Sequence, residues 1–241
     1  MEMTQADHMN LMRDYYRSYL SDDGKVVYDL ILDDIHKLAT DNRVVIDLKN
    51  PSFDLNNACK AYHALRNDRP EFYFMSNSVK ATLLGRILTI HQEKRFSYDQ
   101  IKRINRLLRE TVDHLVSDSY DERIVYRERN IYTTIAKTYT YGEGRFSHDL
   151  SGLLVFGQGV CEALAGLLVI ALRESDIPAV KVRGIGKKSP HCWTKVMIGG
   201  SEYHLDVTWD LQRIRNNNKA QYFNLNEKKI KKDHIIEMPG Y

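Results

Sequence analysis

Apolar positions along the chain recur with two periods, and the switches between them outline its elements. In "VVYDLILDDIHKL", Val27, Leu30, Ile31, Ile35 and Leu38 fall at helical spacing and predict one helix. "RVVIDLK" alternates Val44, Ile46 and Leu48, as a half-buried strand does. "DLNNACKAYHALRND" returns to helical spacing through Leu55, Ala58, Cys59, Tyr62 and Leu65, which places Cys59 in the core. "EFYFM" and "ATLLGRILTIH" read as strands. "SYDQIKRINRLLRETVDHLV" is an amphipathic helix with Ile101, Ile104, Leu108, Val112 and Leu115 on one side.

The polar stretch "SDSYDERIV" marks a soft boundary, dividing a mixed α/β region at 1–118 from a second region at 119–241. There "ERIVYRERNIYTTIAKTYTYG" predicts a helix ending at Gly142, followed by a connection containing Gly, His and Ser. From Cys161 to Glu174 there is no proline and nearly every position is apolar, the mark of a buried helix. "AVKVRGIG", "HCWTKVMIGG" and "SEYHLDVTW" read as strands joined by glycine turns. Helices followed by an antiparallel sheet make the fold class α+β.

Composition narrows the function only a little. The 241 residues are 43% hydrophobic and 28% charged, as in ordinary globular proteins. A net charge of +3 is too mild to point to nucleic acid. The one dense basic cluster, "EKKIKKDH", reads as a solvated face. The opening "MEMTQADHMNLMRDYY" lacks the apolar core of a secretory signal. The longest apolar run, Ala163 to Leu172, is about half of what a bilayer crossing needs. Three cysteines, an odd and sparse set, fit a reducing compartment. The expectation is a cytoplasmic protein with no membrane or nucleic-acid partner.

Cys161 stands where a glycine turn (Gly157, Gly159) ends and the buried helix begins. The first backbone N–H groups of a helix are unpaired and favour negative charge. A thiolate is stabilised there, and the same groups could hold an oxyanion. A cysteine beside a buried helix is more often simple packing, so a base and an orienting group decide the matter. "HCWTKVMIGGSEYHLDVTWD" could supply them. If Gly199-Gly200 is a two-residue hairpin turn, Ile198 pairs with Ser201 and Trp193 faces Asp206. His191 and Asp206 then become diagonal neighbours on one face. His204 shares that face and competes, and Asp206 could equally be a turn or cap acid.

Other chemistries are less supported. Cys161, His191, Cys192 and His204 are the available zinc ligands, but no CxxC or HxxxH pair occurs. Cys192, next to His191 on a strand, points to the opposite face and reads as packed. "VRGIGKKS" departs from a P-loop at Lys181 and Lys188, and reads as a mobile connection beside a cleft. Trp193 and Tyr141 are candidate substrate-groove residues, and the Tyr141 hydroxyl is a candidate oxyanion donor.

"GVCEALAGLL", "HCWTKV" and "YHLDVTWD", in that order, resemble the core of the transglutaminase-like superfamily over roughly residues 120–241. The resemblance is to its bacterial members, and it extends loosely to the tail "YFNLNEKKIKKDH" and to "YYRSYLSDDGKVVYDLILDDI" and "ALRNDRPEFYFM". It implies a papain-like core, a nucleophile helix packed on an antiparallel sheet, preceded by a smaller mixed α/β region. It implies Cys161 as nucleophile, His191 as base and Asp206 as orienting acid. The implied activity is cysteine-dependent acyl transfer on a protein or peptide substrate, by hydrolysis or transamidation. No cofactor or metal is called for, and no acidic loop is present for the calcium that some animal relatives use. Ala163, Cys192 and Thr194 depart from the family's usual glycine, alanine and asparagine, which leaves substrate preference open. A non-catalytic binding or scaffold module on the same fold is the alternative.

Overall fold

The computed structural model of the protein describes residues 3–49 and 53–237. Contacts divide the chain into two units, one of residues 14–105 and one joining residues up to 13 with those from 106 onward. Helix α1 (Gln5–Arg13) therefore packs with the C-terminal elements.

Within residues 14–105, a single 3-10 turn (Arg17–Tyr19) precedes α2 (Asp22–Asp33), whose start is capped by the Ser21 side chain accepting from Gly24 N–H. The helix expected across residues 27–38 is broken at Asp34, where ψ is 18°, and resumes as α3 (Ile35–Thr40). Strand β1 (Arg43–Asp47) follows, then α4 (Leu55–Asp68), then the hairpin of β2 (Val79–Leu84) and β3 (Ile87–Gln92). The sheet order is β1-β3-β2, antiparallel throughout. Two expectations fail here. Cys59 is half-buried on α4, beside the exposed Leu55, rather than in the core. "EFYFM" is no strand: Phe72 N–H bonds Arg69 and Met75 N–H bonds Phe72, so successive turns bury Tyr73, Phe74 and Met75 without a ladder. Helix α5 (Tyr98–Asp118) carries its predicted apolar stripe, Ile101 to Leu115, buried.

The other unit continues through α6 (Ile124–Thr138), β4 (Thr140–Tyr141), α7 (Leu150–Phe156), β5 (Gln158–Gly159) and α8 (Cys161–Glu174). Then come β6 (Ala179–Gly186), β7 (Ser189–Ile198), β8 (Ser201–Leu205), α9 (Val207–Arg215), α10 (Glu227–Ile230) and β9 (His234–Ile236). The sheet order is β8-β7-β6-β9, with every pair antiparallel. Helix α8 is buried from Glu162 to Arg173 and packs on β6 and β7. Each fully buried leucine along it contributes about 1.5–3 kcal/mol of transfer free energy. Among the described residues, no helix is long and apolar enough to cross a membrane.

Four local readings change. The helix expected to reach Gly142 ends at Thr138, and Thr140–Tyr141 instead pair in parallel with Gln158–Gly159. The connection before β5 contains α7, begun by Asp149 and ended by Gly157 at φ 70°. The third predicted strand stops at Leu205, because Asp206 caps α9 through Trp209 N–H. "VRGIGKKS" is strand β6 followed by a tight turn at Lys187 and Lys188, with φ of 46° and 77°. Non-glycine residues are uncommon at such φ, so the segment is a strand closed by a strained turn.

Candidate active site

Strand pairing brings the first two groups together. Gly199 and Gly200 have φ of 57° and 74°, which fits a two-residue turn, and β7 and β8 pair from Ile198↔Ser201 to Thr194↔Leu205. Just past the last pair, His191 Nε2 lies 2.7 Å from Asp206 Oδ2. A carboxylate only accepts, so the imidazole donates through Nε2 and turns Nδ1 toward the thiol. Asp206 is fully buried and held from several sides. Its Oδ1 accepts from Trp209 N–H at 3.1 Å, its N–H donates to Tyr222 O at 2.9 Å, and its carbonyl accepts from the Tyr132 hydroxyl at 2.8 Å. The cap role and the histidine-partner role are thus both filled, one by each carboxylate oxygen.

Helix α8 delivers the third group. Its N-cap, Val160, makes no side-chain cap hydrogen bond to the first-turn amides around Cys161. The parallel β4–β5 pair sets Tyr141 opposite Gly159, two residues before the cysteine. A cleft of about 680 Å³ is lined by Tyr141, Cys161, Lys187, His191, Trp209 and Tyr222. A second hollow of about 520 Å³, against Arg129, Tyr132 and Phe223, is lined by neither thiol nor histidine, which makes the first the candidate.

Electrostatics at the cleft favour an ion pair. The Cys161 thiol is held down to about 5, first by a hydrogen bond from the Cys192 thiol, against burial, and then by His191. Burial opposes the His191 cation, but hydrogen bonds with Asp206 and Cys161 outweigh it and push the imidazole up to about 9. Burial likewise opposes ionised Asp206, yet donors from His191, His234 and Trp209 hold its carboxyl below the usual range. Bonding to Cys161 and burial raise Cys192, which stays a neutral donor. The two shifts run toward a thiolate facing an imidazolium, the pair that nucleophilic attack and proton return would need.

Ring packing fixes the imidazole. His191 stacks on Trp209 at 5.0 Å between centroids and 23° between planes. Gly186 makes this possible, because a Cβ there would stand 2.8 Å from Trp209 Cζ2 and 3.0 Å from His191 Cδ2. Trp193, expected in the groove, is instead 1% exposed, with its indole N–H donating to His204 Nδ1 at 3.0 Å. Trp209 takes its place on the cleft wall. His204 is spent on Trp193, and burial followed by the Lys195 charge pushes it down to about 4. It makes no bond to Asp206.

Besides Trp209, Cys192 and His234 escaped the sequence reading as members of this cluster. Cys192 is buried on the face that meets α8, as Thr194 bonding Ala165 O at 3.5 Å shows, and this brings its thiol to Cys161. His234, read as part of a solvated basic run, is fully buried with Nε2 3.1 Å from Asp206 Oδ2. No local period marks a three-residue strand. The ligand atoms of His191, Asp206 and His234 lie within 4.8 Å of one another. A tetrahedral zinc spaces its donors about 3.4 Å apart. Here both rings stand at hydrogen-bond distance from one oxygen, 2.7 and 3.1 Å, so the set reads as a hydrogen-bonded chain.

Residues 109–207 match the profile of the transglutaminase-like superfamily, so the chain carries a transglutaminase-like core. Among solved structures it is similar to one described as a TGase, with 14% identity and a TM-score of 0.39, covering 69% of this chain and 50% of that one. It is also similar to the periplasmic domain of TgpA from Pseudomonas aeruginosa, with 16% identity and a TM-score of 0.36, covering 54% of this chain and 56% of that one. The chain thus spans about half the length of these relatives. No curated protein gives a match.

Proposed function

We propose that the protein is a cysteine-dependent acyl-transfer enzyme acting on amide bonds of proteins or peptides. Cys161 is the nucleophile, His191 the acid–base and Asp206 the orienting carboxylate. The observation that carries this reading is the 2.7 Å His191–Asp206 bond, which leaves Nδ1 for the thiol at a helix start. The thiolate attacks the amide carbonyl, and the first-turn amides of α8 receive the oxyanion. His191 gives its Nδ1 proton to the leaving amine, and a thioester remains on Cys161. Water then attacks with His191 as base, restoring the enzyme. An amine could replace water, but nothing in the cleft marks an amine subsite, so hydrolysis is favoured. Three unpaired cysteines suit a cytoplasmic setting.

The test is acylation by p-nitrophenyl acetate. The reading expects a burst of nitrophenol, one acetyl group on Cys161 by mass spectrometry, and discharge by water faster than transfer to added primary amine. Cys161→Ala should remove the burst. A burst that survives this substitution, or no acetyl on Cys161, would turn the account toward a binding module.

A further inference from the structure

We propose that His234 is a positioning residue of this site, donating from Nε2 to Asp206 and keeping that carboxylate ionised and aimed at His191 through the catalytic cycle. The proposal rests on the acyl-transfer reading above and adds a residue to it.

His234 opens β9, where Gly186↔His234 pairing sets it beside the strand end that passes under Trp209 and His191. Its ring is fully buried, with centroids 4.2 Å from Trp209 and 4.8 Å from Trp193. Nε2 meets Asp206 Oδ2 at 3.1 Å, and Nδ1 meets Asp233 Oδ1 at 2.7 Å. The other oxygen of Asp233 accepts from the Tyr222 hydroxyl at 2.7 Å, which ties the ring to the cleft wall. Lys187 N–H donates to Asp233 O at 3.1 Å and pins the same corner. Both ring nitrogens therefore face carboxylates. A carboxylate oxygen only accepts, so the Nε2 that meets Asp206 Oδ2 is a donor held in place from the far side of the ring by Asp233.

That donor matters at one step. A buried carboxylate without enough donors takes up a proton. When His191 has passed its Nδ1 proton to the leaving group, its ring is neutral and no longer offsets Asp206. The His234 Nε2 donor then remains against it. Other groups near Asp206 do not help: burial raises Asp210 on α9, Tyr132 on α6 and Tyr222 above their ordinary values, and none of the three is a cation.

The experiment is iodoacetamide labelling of Cys161 against pH, on the full chain, in wild type, His234→Leu and His234→Gln. Leucine removes the donor, so Asp206 protonates at higher pH, the His191 cation weakens and the low-pH limb of labelling moves up. A shift of about one pH unit, or about tenfold slower labelling on that limb, is expected. Glutamine can still donate to Oδ2 and should recover most of the shift. A leucine profile that overlays wild type, or a glutamine shift as large as the leucine one, overturns the proposal while leaving the acyl-transfer reading standing. A wild type without reactive thiolate at low pH overturns both. Should the leucine variant not fold, His234→Met, flexible and without a donor, applies the same test, and an unchanged limb there overturns the proposal equally.

Discussion

His191 and Asp206 meet at 2.7 Å across neighbouring strands, and the same carboxylate caps the helix that carries Trp209. One side chain thus sets the tautomer of the imidazole and the position of the indole stacked on it. Asp206→Asn keeps the cap through its carbonyl oxygen. Its amide, however, donates to Nε2 and moves the imidazole proton to Nδ1, where it blocks acceptance from the thiol. Acylation of Cys161 should fall by about a hundredfold or more. Stopped-flow release of nitrophenol measures this.

Cys192→Ala tests the neighbouring thiol. Its hydrogen bond is the largest force lowering Cys161, so its loss should raise the thiol from about 5 toward its ordinary value. The pH at which labelling reaches half its maximum should rise, and the limb set by His191 near 9 should stay in place. An unchanged lower limb would mean that the imidazolium alone holds the thiolate.

Gly186→Ala puts a methyl 2.8 Å from Trp209 Cζ2 and 3.0 Å from His191 Cδ2. Both rings must tilt, and the His191–Asp206 bond lengthens. We expect about a tenfold or greater loss of acylation rate with substrate affinity nearly kept, because small misplacement at a reacting centre is costly. Steady-state kinetics separate the two effects.

Glu128 on α6 gives a stability prediction away from the chemistry. It is buried, one oxygen accepts from Asn224 at 2.7 Å and the other has no partner. Burial, against the Asn224 bond, pushes its carboxyl up to about 7. The unfolded chain releases this proton near pH 4.5 and the folded chain holds it to about 7, so stability falls as pH rises across that window. The loss amounts to about 3 kcal/mol. Glu128→Gln should remove most of it, which urea unfolding at pH 5 and pH 8 would show.

What could be read from the sequence divides by range. Helix α8 was legible because its apolar run begins after a glycine turn and ends without interruption, and its observed limits are Cys161 and Glu174. The register joining His191 to Asp206 was legible because Gly199-Gly200 admits one simple turn. Parity along β7 gave the face of Cys192 correctly, but not that the start of α8 lies over that face. Trp193 was placed in the groove and Trp209 was missed because "SEYHLDVTW" reads as a strand through the helix start at Val207, hiding where the strand ends. His234 was hidden among lysines, and its partner Asp206 lies on a distant strand end. Such long-range burial leaves no local period. Alternation in "EFYFM" failed for the opposite reason: its aromatic side chains are buried by turns, with no strand to pair with.

The most direct test of the ion pair is the pH dependence of Cys161 alkylation by iodoacetamide, in wild type beside His191→Ala, with the modified cysteine located by mass spectrometry. The account predicts fast labelling of Cys161 from about pH 5 upward in wild type. In the variant the low-pH limb should move up by more than one pH unit, because the imidazolium facing the thiolate is gone. Labelling of wild-type Cys161 that begins only above pH 8, or a variant profile identical to wild type, would contradict it.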